Sequence, residues 1–225
     1  MTLHPNGVHH LALSTRDIKK QIEFFTDVLG AELKALYWMH GVENTFHGFV
    51  ELNGSSYVAF VQHPENSDRY ELGVTHAGSG AGPVPAGTMQ HVAFSVDSLE
   101  ELYEMRDRIR SRGVVVLGPM DHGLCHSIYF AGPEGLSLEV ATGSNIDARA
   151  WIDPEVQALA GISDEEVANY VTPADYKRPA KPVPQPANDP TKPHMAYSPE
   201  RYEAILRTPD ERFLHSVSNE PPVRV

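Results

Sequence analysis

The stretch that decides the fold is His10–Asp17, HLALSTRD, which returns about 80 residues later as His91–Ser98, HVAFSVDS. Each copy opens with apolar residues that alternate with small or polar ones, a pattern typical of a strand with one buried face. Each copy is followed by apolar residues at helical spacing and then by further strand-like runs. We therefore predict an α+β fold of two βαβββ modules, at about residues 7–62 and 88–142.

Cap and turn residues indicate where the predicted elements begin and end. Asp17 and Ser98 are suited to begin the two helices, and Gly30 and Gly113 are suited to end them. Strands are predicted at 32–38, 45–52, 56–62, 114–117, 125–131 and 136–141, with residues 63–87 as a connector. The two modules would form a curved mixed sheet, with its apolar faces packed on the helices and its polar faces lining a hollow.

Proline separates the predicted domain from an extension. Only six of the 18 prolines precede residue 144, and 12 follow it. Residues 1–143 are predicted to form the domain, and residues 144–225 a Pro-rich C-terminal extension. Short helices are expected in the extension at 153–161, 163–170 and 199–207, and aromatic residues such as Trp151 suggest that it docks on a surface.

Charge and composition exclude several classes of function. The net charge of −12 argues against a nucleic-acid partner and against an acidic membrane surface, both of which need clustered Lys and Arg. The single cysteine, Cys125, excludes a disulfide framework and a Cys-rich zinc site. The chain has no signal-like start and no apolar run of membrane length. We expect a cytoplasmic protein that acts on a small-molecule substrate, with a homodimer as a possible assembly.

Three residues form the predicted metal site. His10 and His91 occupy matching positions in the two copies and are expected on the polar faces of their strands. Glu139 alternates with Leu138 and Val140, so it is expected on the polar face as well, where a buried carboxylate needs a partner. Each residue alone could be structural, but the repetition of the histidine favours a ligand set. His9 is expected to point away from His10, in a structural or supporting role.

Two imidazoles and one carboxylate with open coordination positions suit Fe(II) and its oxygen chemistry. The same ligands are compatible with Mn(II), Zn(II), Ni(II) or Co(II), because affinity alone does not select among these ions. Fe(II) is therefore our first expectation for the cofactor, and the other ions are alternatives.

The chain resembles the vicinal oxygen chelate superfamily, which includes glyoxalases, fosfomycin-resistance transferases, bleomycin-binding proteins and extradiol dioxygenases. The resemblance is carried by HHLALSTRDIKKQIEFFTDVLGAEL, MQHVAFSVDSLEEL and SIYFAGPEGLSLEV, which lie within residues 8–142. It implies a metal-dependent enzyme. The extradiol signature implies that His122 binds substrate near the metal and that Tyr129 contacts a metal-bound substrate oxygen. Met120 and Gly132 depart from that signature at two flanking points.

The resemblance leaves three functions open. The first is an Fe(II)-dependent extradiol-type dioxygenase acting on a catechol-like substrate. The chain lacks the second acid–base histidine that larger dioxygenases carry, which would stand near Ser56. His76 in the connector is a weaker candidate for that role. The second is a glyoxalase-like lyase or isomerase, whose fourth ligand would fall within 57–61 or at Gln62. The third is a small-molecule binding protein without catalysis, against which the predicted triad argues.

Overall fold

The computed structural model describes residues 3–143 and 145–224, and one of its compact units is Pro5–Thr172. The first module of this unit runs β1 (His10–Ser14), α1 (Ile18–Glu23), β2 (Glu32–Trp38), β3 (Phe46–Asn53) and β4 (Ser56–Gln62). The second module runs β5 (Val92–Ser95), α2 (Leu99–Ser111), β6 (Val116–Asp121), β7 (Cys125–Ala131) and β8 (Ser137–Gly143). The predicted α+β fold of two βαβββ modules is confirmed.

Each module forms its own four-stranded mixed sheet. The strand orders are β1-β4-β3-β2 and β5-β8-β7-β6, with β1 parallel to β4, β5 parallel to β8, and the other neighbours antiparallel. Each module therefore contributes one four-stranded sheet to the predicted fold. In both sheets the opening strand, β1 or β5, lies at an edge.

The two modules share one apolar core on the helix sides of their sheets. Phe25 is fully buried there, with its ring centroid 5.1 Å from that of Phe60 and 6.0 Å from that of Phe94. Further buried members come from both modules: Leu13, Ile18, Val50, Val58, Leu102, Ile109, Ile128, Leu138 and Val140. The apolar strand residues thus face the helices, as their alternation predicts.

The first helix is shorter than its apolar spacing predicts. It begins at the Asp17 cap, whose side chain accepts from the Lys20 amide, and passes at Phe24 into a π-helical turn, Phe24–Val28. The Thr26 hydroxyl donates to the carbonyl of Ile22 at 2.8 Å, inside this transition. A side-chain hydroxyl that donates to a carbonyl of the preceding turn disturbs the regular helical hydrogen bonds there. The spacing of the apolar residues does not predict such a disturbance.

Glu134 joins the second module to the first. It lies in the turn Pro133–Gly135 with φ of 54°, and its carboxylate accepts hydrogen bonds from Thr15 Oγ1 at 2.5 Å, the Arg16 amide at 2.7 Å and Gln21 Nε2 at 2.8 Å. Burial raises the pKa of this carboxyl, but the three hydrogen bonds outweigh it and hold the pKa below its usual value.

The extension contributes helices to both compact units. Within Pro5–Thr172 they are α3 (Ala148–Trp151), α4 (Pro154–Leu159) and α5 (Asp164–Val171). The other compact unit, which contains residues 173–224, has α6 (Pro199–Arg207) and α7 (Asp210–Leu214). The three predicted helices are present as α4, α5 and α6. The division at residue 143 stays a prediction. In the described part of the chain, no helix has the length and apolar character to span a membrane.

Candidate metal centre

Glu139 lies on the open face of the second sheet, the face turned away from the helices. Its neighbours Leu138 and Val140 are buried in the core, and Glu139 itself is only 5% exposed. Across the strands it pairs with Ala93 of β5 on one side and with Tyr129 of β7 on the other. Because directly paired residues share a face, the sheet places the Tyr129 ring beside the Glu139 carboxylate.

His91 meets Glu139 at this face. It precedes β5, and its Nε2 atom lies 3.0 Å from Oε2 of Glu139. The Gln90 amide oxygen contacts the other ring nitrogen, Nδ1, so Nε2 is the atom directed at the carboxylate. The structure therefore brings two of the three predicted metal ligands together.

The two predicted catalytic residues also lie together, next to this pair. The Tyr129 hydroxyl is 3.0 Å from Nε2 of His122, and the Tyr129 ring centroid is 6.3 Å from that of His91. Burial raises the pKa of the Tyr129 phenol, and the nearby Glu139 charge raises it further. His122 is exposed at the end of β6, and Trp151 of α3 packs on Gly123 beside it.

His10 lies on the open face of the other sheet. Its Nδ1 is 3.0 Å from Nδ1 of His9, and its ring centroid is 5.6 Å from that of Phe49. The expectation that His9 points away from His10 is therefore wrong, and His9 also contacts Tyr57. Within residues 3–143 and 145–224, no three His, Cys, Asp or Glu side chains are grouped to hold a metal ion. The structure does not bring His10 to His91 and Glu139, and the complete triad stays a prediction.

Sequence reasoning missed the aromatic side chains that surround His10. Phe49 lies 4.6 Å from His47 and stacks parallel to Tyr37 at 6.4 Å between ring centroids. The Tyr37 hydroxyl contacts His47 Nδ1 at 3.2 Å. Burial lowers the pKa of His47, and His10 lowers it further. The alternation of His47 and Phe49 in β3 is the signal that could have identified this face.

The donors at the second sheet fit half of a divalent metal site. A carboxylate oxygen only accepts, so the 3.0 Å contact between Oε2 of Glu139 and Nε2 of His91 is made either by a hydrogen on that nitrogen or by a cation bound to both atoms. Glu139 is buried, and a buried carboxylate is costly without such a partner. Two donors bound to one ion at about 2.1 Å and at a right angle would be about 3.0 Å apart, as these are.

The internal repeat identifies the residue that corresponds to Glu139 in the first sheet. Leu11 pairs with Val58 as Val92 pairs with Leu138, so the next pair, Ala12 with Ala59, matches Ala93 with Glu139. Ala59 therefore stands where a fourth ligand would be. By the same matching, Phe49, which pairs with Ala59, corresponds to Tyr129.

The remaining candidate residues have other contacts. The Gln62 side-chain oxygen accepts from the Ile18 amide at 2.8 Å, at the start of α1. His76 packs against Tyr70, with 4.8 Å between ring centroids, in the connector.

Comparison with known proteins identifies the family. Residues 7–140 match the model of the Glyoxalase/Bleomycin resistance protein/Dioxygenase superfamily. A metallothiol transferase FosB from Bacillus licheniformis is 30% identical over 68% of this chain and 86% of its own. A probable lactoylglutathione lyase from Synechocystis is 27% identical over 60% and 95%. A biphenyl-2,3-diol 1,2-dioxygenase from Rhodococcus globerulus is 26% identical over 62% and 64%.

A solved structure supports the fold. The glyoxylase/bleomycin resistance protein/dioxygenase domain from Frankia sp. EAN1pec aligns with a TM-score of 0.51 at 17% identity, covering 63% of this chain and all of that one. The family match covers more than half of the chain, and the two βαβββ modules agree with it. The chain belongs to the Glyoxalase/Bleomycin resistance protein/Dioxygenase superfamily.

Proposed function

We propose that this protein is an Fe(II)-dependent, extradiol-type dioxygenase acting on a catechol-like substrate. His10, His91 and Glu139 would hold the ion, and Tyr129 and His122 would act on the substrate. The observation that carries the proposal is the Tyr129–His122 pair, 3.0 Å apart and directly beside His91 and Glu139. The dioxygenase among the relatives supports the same reading.

The donor set favours dioxygen chemistry over a lyase. Ala59 occupies the position that repeats Glu139, and Gln62 is hydrogen-bonded to the start of α1. Three protein donors leave open positions for a chelating pair of substrate oxygens and for dioxygen. A divalent ion bound there would supply one centre for both reactants, with the proximity and charge stabilisation that this provides.

The reaction would break the ring bond between a hydroxyl-bearing carbon and its neighbour that carries no hydroxyl. Both oxygen atoms of one dioxygen molecule enter the ring-opened product, and no other oxidant is needed. The Tyr129 hydroxyl can donate a hydrogen bond to a substrate oxygen. His122 lies within reach of that hydroxyl and is exposed, so it can pass a substrate proton to solvent.

We propose that the complete ligand set is assembled from two copies of the chain. His10 and the His91–Glu139 pair lie on open faces of different sheets, and β1 and β5 are both edge strands. A groove of about 790 Å³ runs beside these edges, lined by apolar side chains that include Leu11, Phe94 and Met105. We propose that β5 of a second copy lies along β1, so that each metal site combines His10 with the pair from the other subunit.

Subunit complementation tests this arrangement. The His10→Ala and Glu139→Ala chains should each bind little Co(II) alone, because every site lacks one ligand. When the two variants are co-expressed in equal amounts, half of the dimers contain one chain of each kind. One of the two sites in each mixed dimer is intact, so about one quarter of wild-type binding should return. A triad formed within one chain would return none, and that outcome would contradict the shared site.

Oxygen uptake by Fe(II)-loaded protein tests the reaction. A panel of catechols, biphenyl-2,3-diol among them, should include one that consumes dioxygen and yields a ring-opened product carrying both atoms of ¹⁸O₂. Tyr129→Phe is the matched variant, since it removes only the hydroxyl. Turnover of a vicinal-oxygen substrate without dioxygen would instead support the lyase or isomerase.

A further inference from the structure

Gln90 contacts both the connector and His91, although neither its type nor its position marked it as a site residue. Its side-chain Nε2 donates to the carbonyl of Ser79 at 2.9 Å and to the carbonyl of Gly82 at 3.2 Å. Its Oε1 contacts Nδ1 of His91. One amide thus joins a Gly-rich loop of the connector to a predicted metal ligand.

The chemistry of these partners fixes the orientation of the Gln90 amide. Backbone carbonyls only accept, so the atom that faces Ser79 and Gly82 must be the NH₂ group. The amide oxygen then faces His91 and only accepts, so Nδ1 of His91 must carry a hydrogen. In the neutral imidazole this leaves the lone pair on Nε2, the atom 3.0 Å from Glu139 and the one needed to bind a metal ion.

The other side of Gln90 holds the loop against Tyr129. A β-carbon at Gly80 would lie 3.0 Å from Cε1 of the Tyr129 ring, so this part of the connector packs on the ring. A β-carbon at Gly82 would lie 1.9 Å from the carbonyl oxygen of Ala77, so the loop closes tightly on itself. Residues 77–82, which we name the glycine loop, therefore cover the predicted catalytic tyrosine.

We propose that Gln90 is a positioning residue that sets the tautomer of His91 for metal binding and fastens the glycine loop over Tyr129. Hydrogen-bond partners of metal-binding histidines fix the ring and its tautomer in this way, and their loss weakens metal affinity. The inference rests on the proposed metal site. It adds that Gln90 links the metal ligand His91 to the glycine loop that lies over Tyr129.

Two substitutions separate the two roles. Gln90→Leu removes both, so the Kd for Co(II) should rise about tenfold or more, and amide hydrogen exchange in the glycine loop should accelerate. Gln90→Glu keeps an acceptor for Nδ1 of His91 but has no donor for Ser79 and Gly82. It should therefore keep the Kd within about threefold of wild type while the loop exchanges as fast as in the Leu variant. Gln157→Leu is the matched control and should change neither quantity.

The tautomer has its own measurement. Nitrogen-15 NMR of the metal-free protein should show hydrogen on Nδ1 of His91 in wild type and in Gln90→Glu, and loss of that hydrogen in Gln90→Leu, whether or not Nε2 also carries the hydrogen that it shares with Glu139. A wild-type Kd in Gln90→Leu, or unchanged loop exchange in both variants, would overturn the inference and leave the metal site standing. Absence of Co(II) binding by the wild-type protein would overturn the proposed function and this inference together.

Discussion

Replacement of Glu134 by alanine should destabilise the chain more than the same replacement of an exposed carboxylate. The substitution removes three hydrogen bonds to a charged acceptor, and such bonds contribute about 1.5 to 3 kcal/mol each without adding fully. Gln21 is 1% exposed and its Oε1 has no hydrogen-bond partner among the described atoms, so its side chain would also lose the hydrogen bond from Nε2 to Glu134. We expect the free energy of unfolding to fall by about 3 to 4 kcal/mol.

Urea unfolding followed by circular dichroism measures this difference. Glu104→Ala, on the exposed side of α2, is the control and should change stability by less than about 0.5 kcal/mol. The folded-state pKa of Glu134 lies below its usual value, so its stabilisation is present above about pH 4.5 and is lost as pH falls through the folded pKa. The difference in the free energy of unfolding between wild type and Glu134→Ala should therefore become smaller below about pH 4.5. A loss under about 1 kcal/mol at pH 7 would refute the bridging role.

Three further predictions concern the core, the glycine loop and the substrate position. Phe25→Ala should lower the free energy of unfolding by about 3 to 5 kcal/mol, because it empties a fully buried volume shared by both modules. Gly82→Ala should accelerate hydrogen exchange in the glycine loop, since its β-carbon meets the Ala77 carbonyl, whereas Gly54→Ala meets no atom within 4 Å and should not. Tyr129→Phe should lower kcat about tenfold to a hundredfold with an unchanged Kd for Co(II), and equal losses in both would argue for a structural role.

Local patterns predicted the elements well where one face of a strand is buried. The limits of β2, β4 and β7 agree with the alternation of their side chains, because the period of two reports directly which residues face the helices. Alternation and the internal repeat placed His91 and Glu139 on the open face of their strands, and the structure has them 3.0 Å apart. The resemblance to the extradiol signature, and not alternation, pointed to His122 and Tyr129, which lie 3.0 Å apart. Contacts within a single module can therefore be predicted from the sequence of that module.

What the sequence could not predict depends on contacts between segments. Alternation identifies the open face that carries His10, but it does not say which surface covers that face, so one continuous sheet and two separate sheets were equally compatible with it. Gln90 was missed because it precedes β5 in irregular backbone, where no periodicity assigns a direction to its side chain. Glu134 resembled an ordinary turn residue, and only the packing of the modules reveals its three donors.

The central claim is that one divalent ion is held by His10, His91 and Glu139. Elemental analysis of protein purified without oxygen and loaded with Fe(II) tests it most directly, with His10→Ala, Glu139→Ala and the control His215→Ala treated in parallel. We predict about one ion per chain in wild type and control, and less than about a tenth of that in the other two variants. Wild-type occupancy in both His10→Ala and Glu139→Ala would contradict the claim.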